Sequence, residues 1–362
     1  MRQIEGLFPT TEVRGMKSLG AGVAQRLICV WIFLSWSTVS IAFDRLFLFG
    51  DSLSDIGNDR LVTRELFDED LRVPPPALYY RGRFSNGPVW TDFLALHLGI
   101  NRHKLFPSLA EEVGEPEWQS RIFAYGGSGT FASSKTPASP LLPAFPVRGL
   151  LGQVEDFGAD LAAAGATADG AALYVVWSGA NDYLLAGNAE GIPPPDPMVT
   201  VGNILAAIRQ LETLGARNFL VPNLPNLANT PLAGLLGPET QGALLSVTQA
   251  HNGLLAQGLQ ELSRSTAAGT TLDLLDVFTL FETIGNNPAA FGFSHGFTEL
   301  GPASNCLIPL FPESQSCAEL PEGLDGNGFP FWDEQHPSEH LHRYIALRAY
   351  LCLDDPGSCT VE

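Results

Sequence analysis

The chain has 362 residues, 45% of them hydrophobic and 16% charged, and a net charge of −19. That much apolar material excludes a disordered chain and is enough for a large core. That strong a negative balance excludes long-range attraction to nucleic acid or to anionic membrane surfaces.

The first 42 residues differ from the rest. Arg14, Lys17 and Arg26 precede the apolar run "LICVWIFLSWSTVSI" (Leu27–Ile41), and Ser40 and Ala42 stand at signal-peptidase spacing. Residues 1–42 are therefore expected to be a signal peptide cut between Ala42 and Phe43, with Met16 as an alternative start. The other reading is a membrane anchor over residues 27–41, although a span needs about 20 apolar residues. Cys29 does not suit lipid attachment, because Arg26 stands where an apolar residue is required. Removing the leader leaves residues 43–362 as a single domain with net charge −21 and dispersed acidic residues. The product is expected to be secreted or periplasmic.

The first strand pattern, Arg45–Phe49, runs straight into "FGDSLSDIGN" (Phe49–Asn58). A proline-rich surface loop follows at Val73–Pro76. The second strand pattern, Arg121–Tyr125, runs into "GGSG" (Gly126–Gly129). The loop Pro137–Pro146 is apolar and either walls a substrate cleft or covers core. The third pattern, Leu173–Trp177, runs into "SGAND" (Ser178–Asp182), with another loop at Ile192–Pro197. Helical spacing of Val201, Ile204, Leu205, Ile208 and Leu211 predicts a helix over Val201–Leu214. Strand Asn218–Val221, helix Ala243–Leu262 and strand Thr271–Val277 come next. Strands alternating with helices predict a parallel sheet covered on both faces. The last helix is expected to begin at Pro337 and to bury Leu341, Tyr344, Ile345, Leu351 and Cys352. Four cysteines remain after the leader: Cys306, Cys317, Cys352 and Cys359. An even count in an exported chain points to disulfides, with the local pairs Cys306–Cys317 and Cys352–Cys359 expected. Neither pair has zinc-site spacing.

Ligands of open parallel sheets bind at the carboxyl ends of the strands. Ser52, the "GGSG" segment and the "SGAND" segment each lie just past such an end. A serine hydroxyl needs an adjacent base, and the base needs a third group to hold its tautomer. Among seven histidines, His336 stands out in "FWDEQHPSEH", three residues after Asp333 and directly before Pro337. From a loop, Asp333 can fold back onto Nδ1 of His336 and leave Nε2 facing the serine. Taken alone, Asp-x-x-His reads rather as a helix cap beside a surface histidine. The developing oxyanion needs donors, which the Gly127 N–H, the Asn181 amide and the Ser52 N–H can supply. Each of these also has a bland reading, as a turn or a cap.

Together the motifs resemble the GDSL, or SGNH, esterases and lipases. The resemblance rests on "FGDSLSDIGN", "GRFSNGPVWTDFLA" (Gly82–Ala95), "FAYGGSGT", "LLGQVEDF", "LYVVWSGANDYL", "NFLVPNLPNLANTP" and "FWDEQHPSEHLHRYIA", in the family's order from about Phe43 to Leu351. It implies a three-layer α/β/α sandwich of flavodoxin-like layout, with a central, mainly five-stranded parallel sheet. It also implies Ser52 as nucleophile, Asp333 and His336 as acid and base, and Gly127 and Asn181 as oxyanion donors. The family has an asparagine five residues before the oxyanion glycine, where this chain has Ile122, which leaves the register between Gly126 and Gly127 open.

A second serine motif, "GFSHG" (Gly292–Gly296), fits G-x-S-x-G, but its flanks are not the strand and helix that motif needs. Ser294 is instead expected in a loop near the cleft, with His295 reaching the substrate. His336, His340 and His342 lack an H-E-x-x-H arrangement, so no metal is expected, and His340 and His342 read as surface or supporting residues. The sequence thus reads as an exported serine hydrolase of carboxylic esters, with no metal or organic cofactor. Its expected partner is a small-molecule or lipid ester. Neither nucleic acid nor stable membrane insertion is expected, and the chain is expected to be a monomer. An acyltransferase or a sugar-ester deacetylase would use the same residues. A non-catalytic secreted binding protein is the rival of another class.

Overall fold

Leu46–Gly50 forms β1, and its side chains divide by parity. Leu46 and Leu48 join one buried cluster, Phe47 and Phe49 another. A strand buried on both faces must lie inside a sheet covered on both sides. A computed structural model describes residues 43–67, 72–110, 119–135, 145–184, 194–304, 306 and 325–359. The predicted leader, residues 1–42, lies outside the described residues, as does much of the Pro137–Pro146 loop.

After β1 come α1 (Asn58–Leu66), α2 (Trp90–His97), β2 (Leu105–Pro107) and β3 (Ser120–Ile122). A separate antiparallel ribbon of β4 (Ser133–Lys135) and β5 (Pro146–Arg148) leads to α3 (Leu150–Ala164) and β6 (Leu173–Trp177). Then follow α4 (Ala180–Leu184), α5 (Pro197–Leu214) and β7 (Asn218–Pro222). The remaining elements are α6 (Pro231–Leu236), α7 (Pro238–Ser263), β8 (Thr271–Leu275), α8 (Val277–Asn286) and α9 (Glu339–Asp354). The main sheet has the order β2-β3-β1-β6-β7-β8, and every pairing in it is parallel.

The expected three-layer α/β/α arrangement is present. Leu48, Val175 and Leu220 pack under α2, α8 and α9 through Trp90, Phe281 and Ile345. Phe49, Val176 and Val221 pack under α3, α5 and α7 through Phe157, Ile208 and Leu259. Phe49 stacks on Phe123 at 5.2 Å and meets Phe157 edge-on at 5.6 Å. Burying such a phenylalanine contributes about 2–3 kcal/mol before any ring–ring term.

The sheet has six strands where five were expected. The extra one, β2, is Leu-Phe-Pro at the edge, too short to show alternation and closed by a proline. Thr271–Val277 shortens to Leu275, because Asp276 caps α8 by accepting the Thr279 N–H at 3.0 Å. The last helix starts at Glu339, two residues after Pro337, which instead forms a β-bridge with Phe331. Its buried stripe is Leu341, Ile345, Ala349 and Cys352, with Leu351 turned outward at 42% exposure. His342 shares the inner face and is fully buried, so it is not a surface residue.

Cys352 and Cys359 form a disulfide that closes the end of α9. Cys306 is also disulfide-bonded, and Cys317, its expected partner, lies outside the described residues. Among the described residues, no helix is long and apolar enough to cross a membrane.

Candidate active site

Chain direction concentrates the site. The path leaves β1 for one edge through β2 and β3, then passes back to build the other edge with β6, β7 and β8. The carboxyl end of β1 is therefore where a crevice opens. Gly50 ends the strand, and a Cβ there would stand 2.3 Å from the Trp177 carbonyl oxygen, so only glycine fits. Gln153 of α3 accepts the Gly50 N–H at 2.8 Å and donates to the Gly50 carbonyl at 2.8 Å and to Ser128 Oγ at 2.9 Å. It thereby clamps the strand end to the "GGSG" loop.

The chain then turns tightly. The Asp51 carbonyl accepts the N–H groups of Ser54 and Asp55, and this turn projects Ser52. Below it, Asp55 accepts the N–H groups of Gly57, Asn58 and Asp59 at the start of α1. Asn58 donates to the carbonyls of Ile122 and Ala124 at 2.8 and 2.9 Å. These side chains are committed to holding β1 and β3 together.

His336 arrives from the far end of the chain. Its carbonyl accepts the Trp332 N–H at 2.7 Å, closing a loop that sets Asp333 beside it. Asp333 Oδ2 lies 2.7 Å from His336 Nδ1, and His336 Nε2 lies 2.8 Å from Ser52 Oγ. All three residues are buried. Burial works to raise the Asp333 pKa, but the His336 charge and the hydrogen bonds from His336, the Gln335 N–H and Tyr79 outweigh it and leave it lowered. An ionised carboxylate only accepts, so Nδ1 must donate to it. Nε2 is then the acceptor for the Ser52 hydroxyl.

The segment "GRFSNG" holds this histidine loop. Phe84 packs its ring 5.0 Å from His336. Ser85 donates to the Pro337 carbonyl at 2.9 Å, and Asn86 Oδ1 accepts the Glu339 N–H at 2.7 Å. Sequence reading found this motif only through resemblance. A further residue it missed is Tyr79, whose hydroxyl donates to Asp333 Oδ2 at 2.7 Å.

Asn181 lies in α4, past β6, and donates through Nδ2 to the Ser128 carbonyl at 2.9 Å. Asp182 accepts the N–H and hydroxyl of Thr130 at 2.9 and 3.0 Å, stapling α4 to the glycine loop. Burial pushes the Asp182 carboxyl up to about 6. Gly126 is packed in, since a Cβ there would stand 2.3 Å from Phe84 Cζ and 2.6 Å from Asp59 Oδ2. Gly127 is only partly buried and has φ +72°. It stands one residue from the carbonyl that Asn181 holds, but it does not itself line the cleft. The structure thus brings Ser52, Asn181, Asp333 and His336 together, with Gly127 adjoining.

The cleft over Ser52 is lined by the polar Asn181, Gln335 and His336 and by the apolar Leu184, Leu227, Phe281 and Phe331. Ser294 is not among the cleft-lining residues; it lies in a loop with no strand directly before it and no helix directly after it, its N–H donating to the Gly328 carbonyl. His295 pairs with Glu299 at 2.8 Å and stacks on Phe329 rather than lining the cleft. Among the described residues, no cluster of His, Cys, Asp or Glu is arranged to hold a metal ion.

Asp51 also borders the cleft. Burial pushes its carboxyl from 3.8 up to about 7, partly offset by the Leu53 N–H and the His336 charge. A folded value above the unfolded one stabilises fully below pH 3.8 and loses that contribution as pH rises through 7. Asp51→Asn keeps an acceptor for Leu53 and removes the buried charge. Its melting temperature relative to the parent should therefore be higher at pH 8 than at pH 5, by the equivalent of up to about 2.7 kcal/mol. An equal difference at both pH values would show that Asp51 does not titrate in the fold.

A family model described as GDSL-like lipase/acylhydrolase matches residues 46–349. A GDSL esterase/lipase of Arabidopsis thaliana is 27% identical over 331 residues, covering 85% of this chain and 86% of that protein. A phosphatidylcholine-sterol acyltransferase of Aeromonas hydrophila is 28% identical over 341 residues, covering 84% and 88%. A thermolabile hemolysin of Vibrio parahaemolyticus is 24% identical, covering 82% of this chain and 60% of its own.

Proposed function

The chain belongs to the GDSL-like lipase and acylhydrolase family and is a carboxylic ester hydrolase, and from that premise we propose that Ser52 is its nucleophile, His336 its base and Asp333 the carboxylate that orients the base. The observation that carries this reading is the buried run from Ser52 Oγ to His336 Nε2 at 2.8 Å and from His336 Nδ1 to Asp333 at 2.7 Å. Ser52 attacks the ester carbonyl while His336 takes its proton, and Asp333 stabilises the imidazolium so formed. The Ser52 N–H and the Asn181 amide, both at the cleft, hold the oxyanion. One Asn181 amide hydrogen is directed to Ser128, which fixes the other. His336 returns the proton to the leaving alcohol, and an acyl-enzyme remains. Water, deprotonated by His336, then attacks the acyl carbon, and the imidazolium returns that proton to Ser52 Oγ as the acid leaves. The chemistry calls on no metal or organic cofactor.

Residues 43–362 act as one domain after export. The disulfide supports this, since such bonds persist in oxidising compartments. The apolar wall of Leu184, Leu227, Phe281 and Phe331 supports an acyl chain lying over Ser52. Transfer of the acyl group to an alcohol is the second reading. It is favoured by the similarity to the Aeromonas acyltransferase and would use the same groups.

The test is turnover of p-nitrophenyl esters from two to sixteen carbons, with and without an added alcohol acceptor. The protein should hydrolyse the series, and Asn181→Ala should lower kcat by about 10²–10³-fold, the usual loss of one oxyanion donor. An unchanged kcat would remove Asn181 from the site.

A further inference from the structure

Asp333 accepts four hydrogen bonds, and the proposed mechanism uses only the one from His336 Nδ1. Its Oδ1 accepts the N–H groups of Gln335 and His336 at 2.9 and 2.8 Å. Its Oδ2 accepts His336 Nδ1 and also the hydroxyl of Tyr79, both at 2.7 Å. Gln335 and His336 are near neighbours of Asp333 on the same loop. Tyr79 is not: it comes from the turn at Pro75, before α2, 254 residues away. Its ring is buried with Leu78, Ala303 and Trp332, which leaves the hydroxyl one direction, toward Oδ2.

We propose that Tyr79 is a positioning residue that acts through Asp333, setting how strongly that carboxylate holds the catalytic imidazole. The proposal rests on the reading of Ser52, His336 and Asp333 given above.

Burial and the Asp333 charge raise the Tyr79 pKa well above its ordinary value, so the phenol stays neutral and must be the donor. A donor on Oδ2 has two consequences. It spreads the negative charge of a fully buried carboxylate that would otherwise rest on fewer partners. It also fixes the plane of the carboxylate, and with it the line from Oδ2 through the imidazole to Ser52. Without the phenol, Oδ2 becomes more basic and draws the imidazolium proton more strongly. The histidine is then held in its charged form to higher pH and is a weaker proton donor to the leaving alcohol.

Tyr79→Phe removes the hydroxyl and keeps the ring. It should lower kcat/KM roughly tenfold at neutral pH, the equivalent of one charge-assisted hydrogen bond. It should also move the acid limb of the kcat/KM profile upward by roughly 0.5–1 pH unit. The other titratable groups around the pair are Asp51, Glu334 and His342, and all are unchanged in the variant. A shift between the two profiles therefore belongs to Tyr79.

A double-mutant cycle makes the dependence on Asp333 explicit. In an Asp333→Asn background, Tyr79→Phe should cost less than twofold, because the group through which it acts is gone. Equal losses in both backgrounds, or a loss with the acid limb unmoved, would overturn the role. A Tyr79→Phe protein too unstable to assay would assign the residue to folding and overturn it as well. Labelling of the parent by a fluorophosphonate separates the two levels. A parent that does not label at Ser52 overturns the underlying triad and Tyr79 with it. A parent that labels, with an unshifted Tyr79→Phe profile, overturns Tyr79 alone.

Discussion

Ser52→Ala should lower kcat on a p-nitrophenyl ester by about 10⁶-fold, the loss seen when an activated serine is removed from such a unit. The argument is structural. Ser52 Oγ lies 2.8 Å from His336 Nε2, and the Asp333 carboxylate makes that nitrogen the acceptor. With the hydroxyl gone, the remaining donors still bind an ester and polarise its carbonyl, so residual catalysis over water persists. His336→Ala should cost a similar factor, and the double variant little more than either alone, because the two act as one unit. Ser294→Ala provides the contrast. That serine sits in a loop near Gly328 and is not among the cleft-lining residues, and its removal should leave kcat unchanged. Loss of activity in Ser294→Ala with retention in Ser52→Ala would overturn the assignment. Mass spectrometry of the fluorophosphonate-treated parent should find the adduct on the peptide that carries Ser52.

Sequence reading succeeded where the signal was local or periodic. The run "LFLF" shows its double burial through composition alone, and the Leu/Phe parity of β1 follows from the strand's period of two. The Asp333–His336 contact is local, since their spacing and the following proline confine them to one short loop, but reading them as acid and base takes the resemblance. What escaped is mostly long-range. Tyr79 meets Asp333 across 254 residues, Asn86 caps α9 across 253, and Gln153 clamps Gly50 across 103. Nothing in the local pattern of a tyrosine after prolines, or of a glutamine in a helix, announces such partners. His342 escaped for another reason. The predicted stripe already holds Leu341 and Ile345, but His342, three residues before Ile345 and so on the same side, is not added to it because a polar residue type reads as surface or supporting. Burial then depresses its pKa to about 3 and keeps it neutral.

Asp333→Asn should lower kcat by about 10⁴-fold while leaving KM and the fold nearly unchanged. Asparagine matches aspartate in shape, and its carbonyl oxygen can keep the N–H groups of Gln335 and His336 that Oδ1 now accepts. The amide nitrogen then occupies the place of Oδ2, facing His336 Nδ1 and the Tyr79 hydroxyl. An NH2 group can only donate, so Nδ1 must become the acceptor and the ring proton moves to Nε2. In that tautomer His336 presents a donor to Ser52 and cannot take its proton. The imidazolium, if formed, also loses its counter-charge in a buried setting. Substrate binding should survive, because the apolar wall and Asn181 lie on other elements. The comparison to make is kcat, KM and melting temperature of the variant against the parent at neutral pH. An Asp333→Asn protein that retained more than a tenth of the parent's kcat would leave His336 oriented by its loop alone, and Asp333 would then have no part in the chemistry.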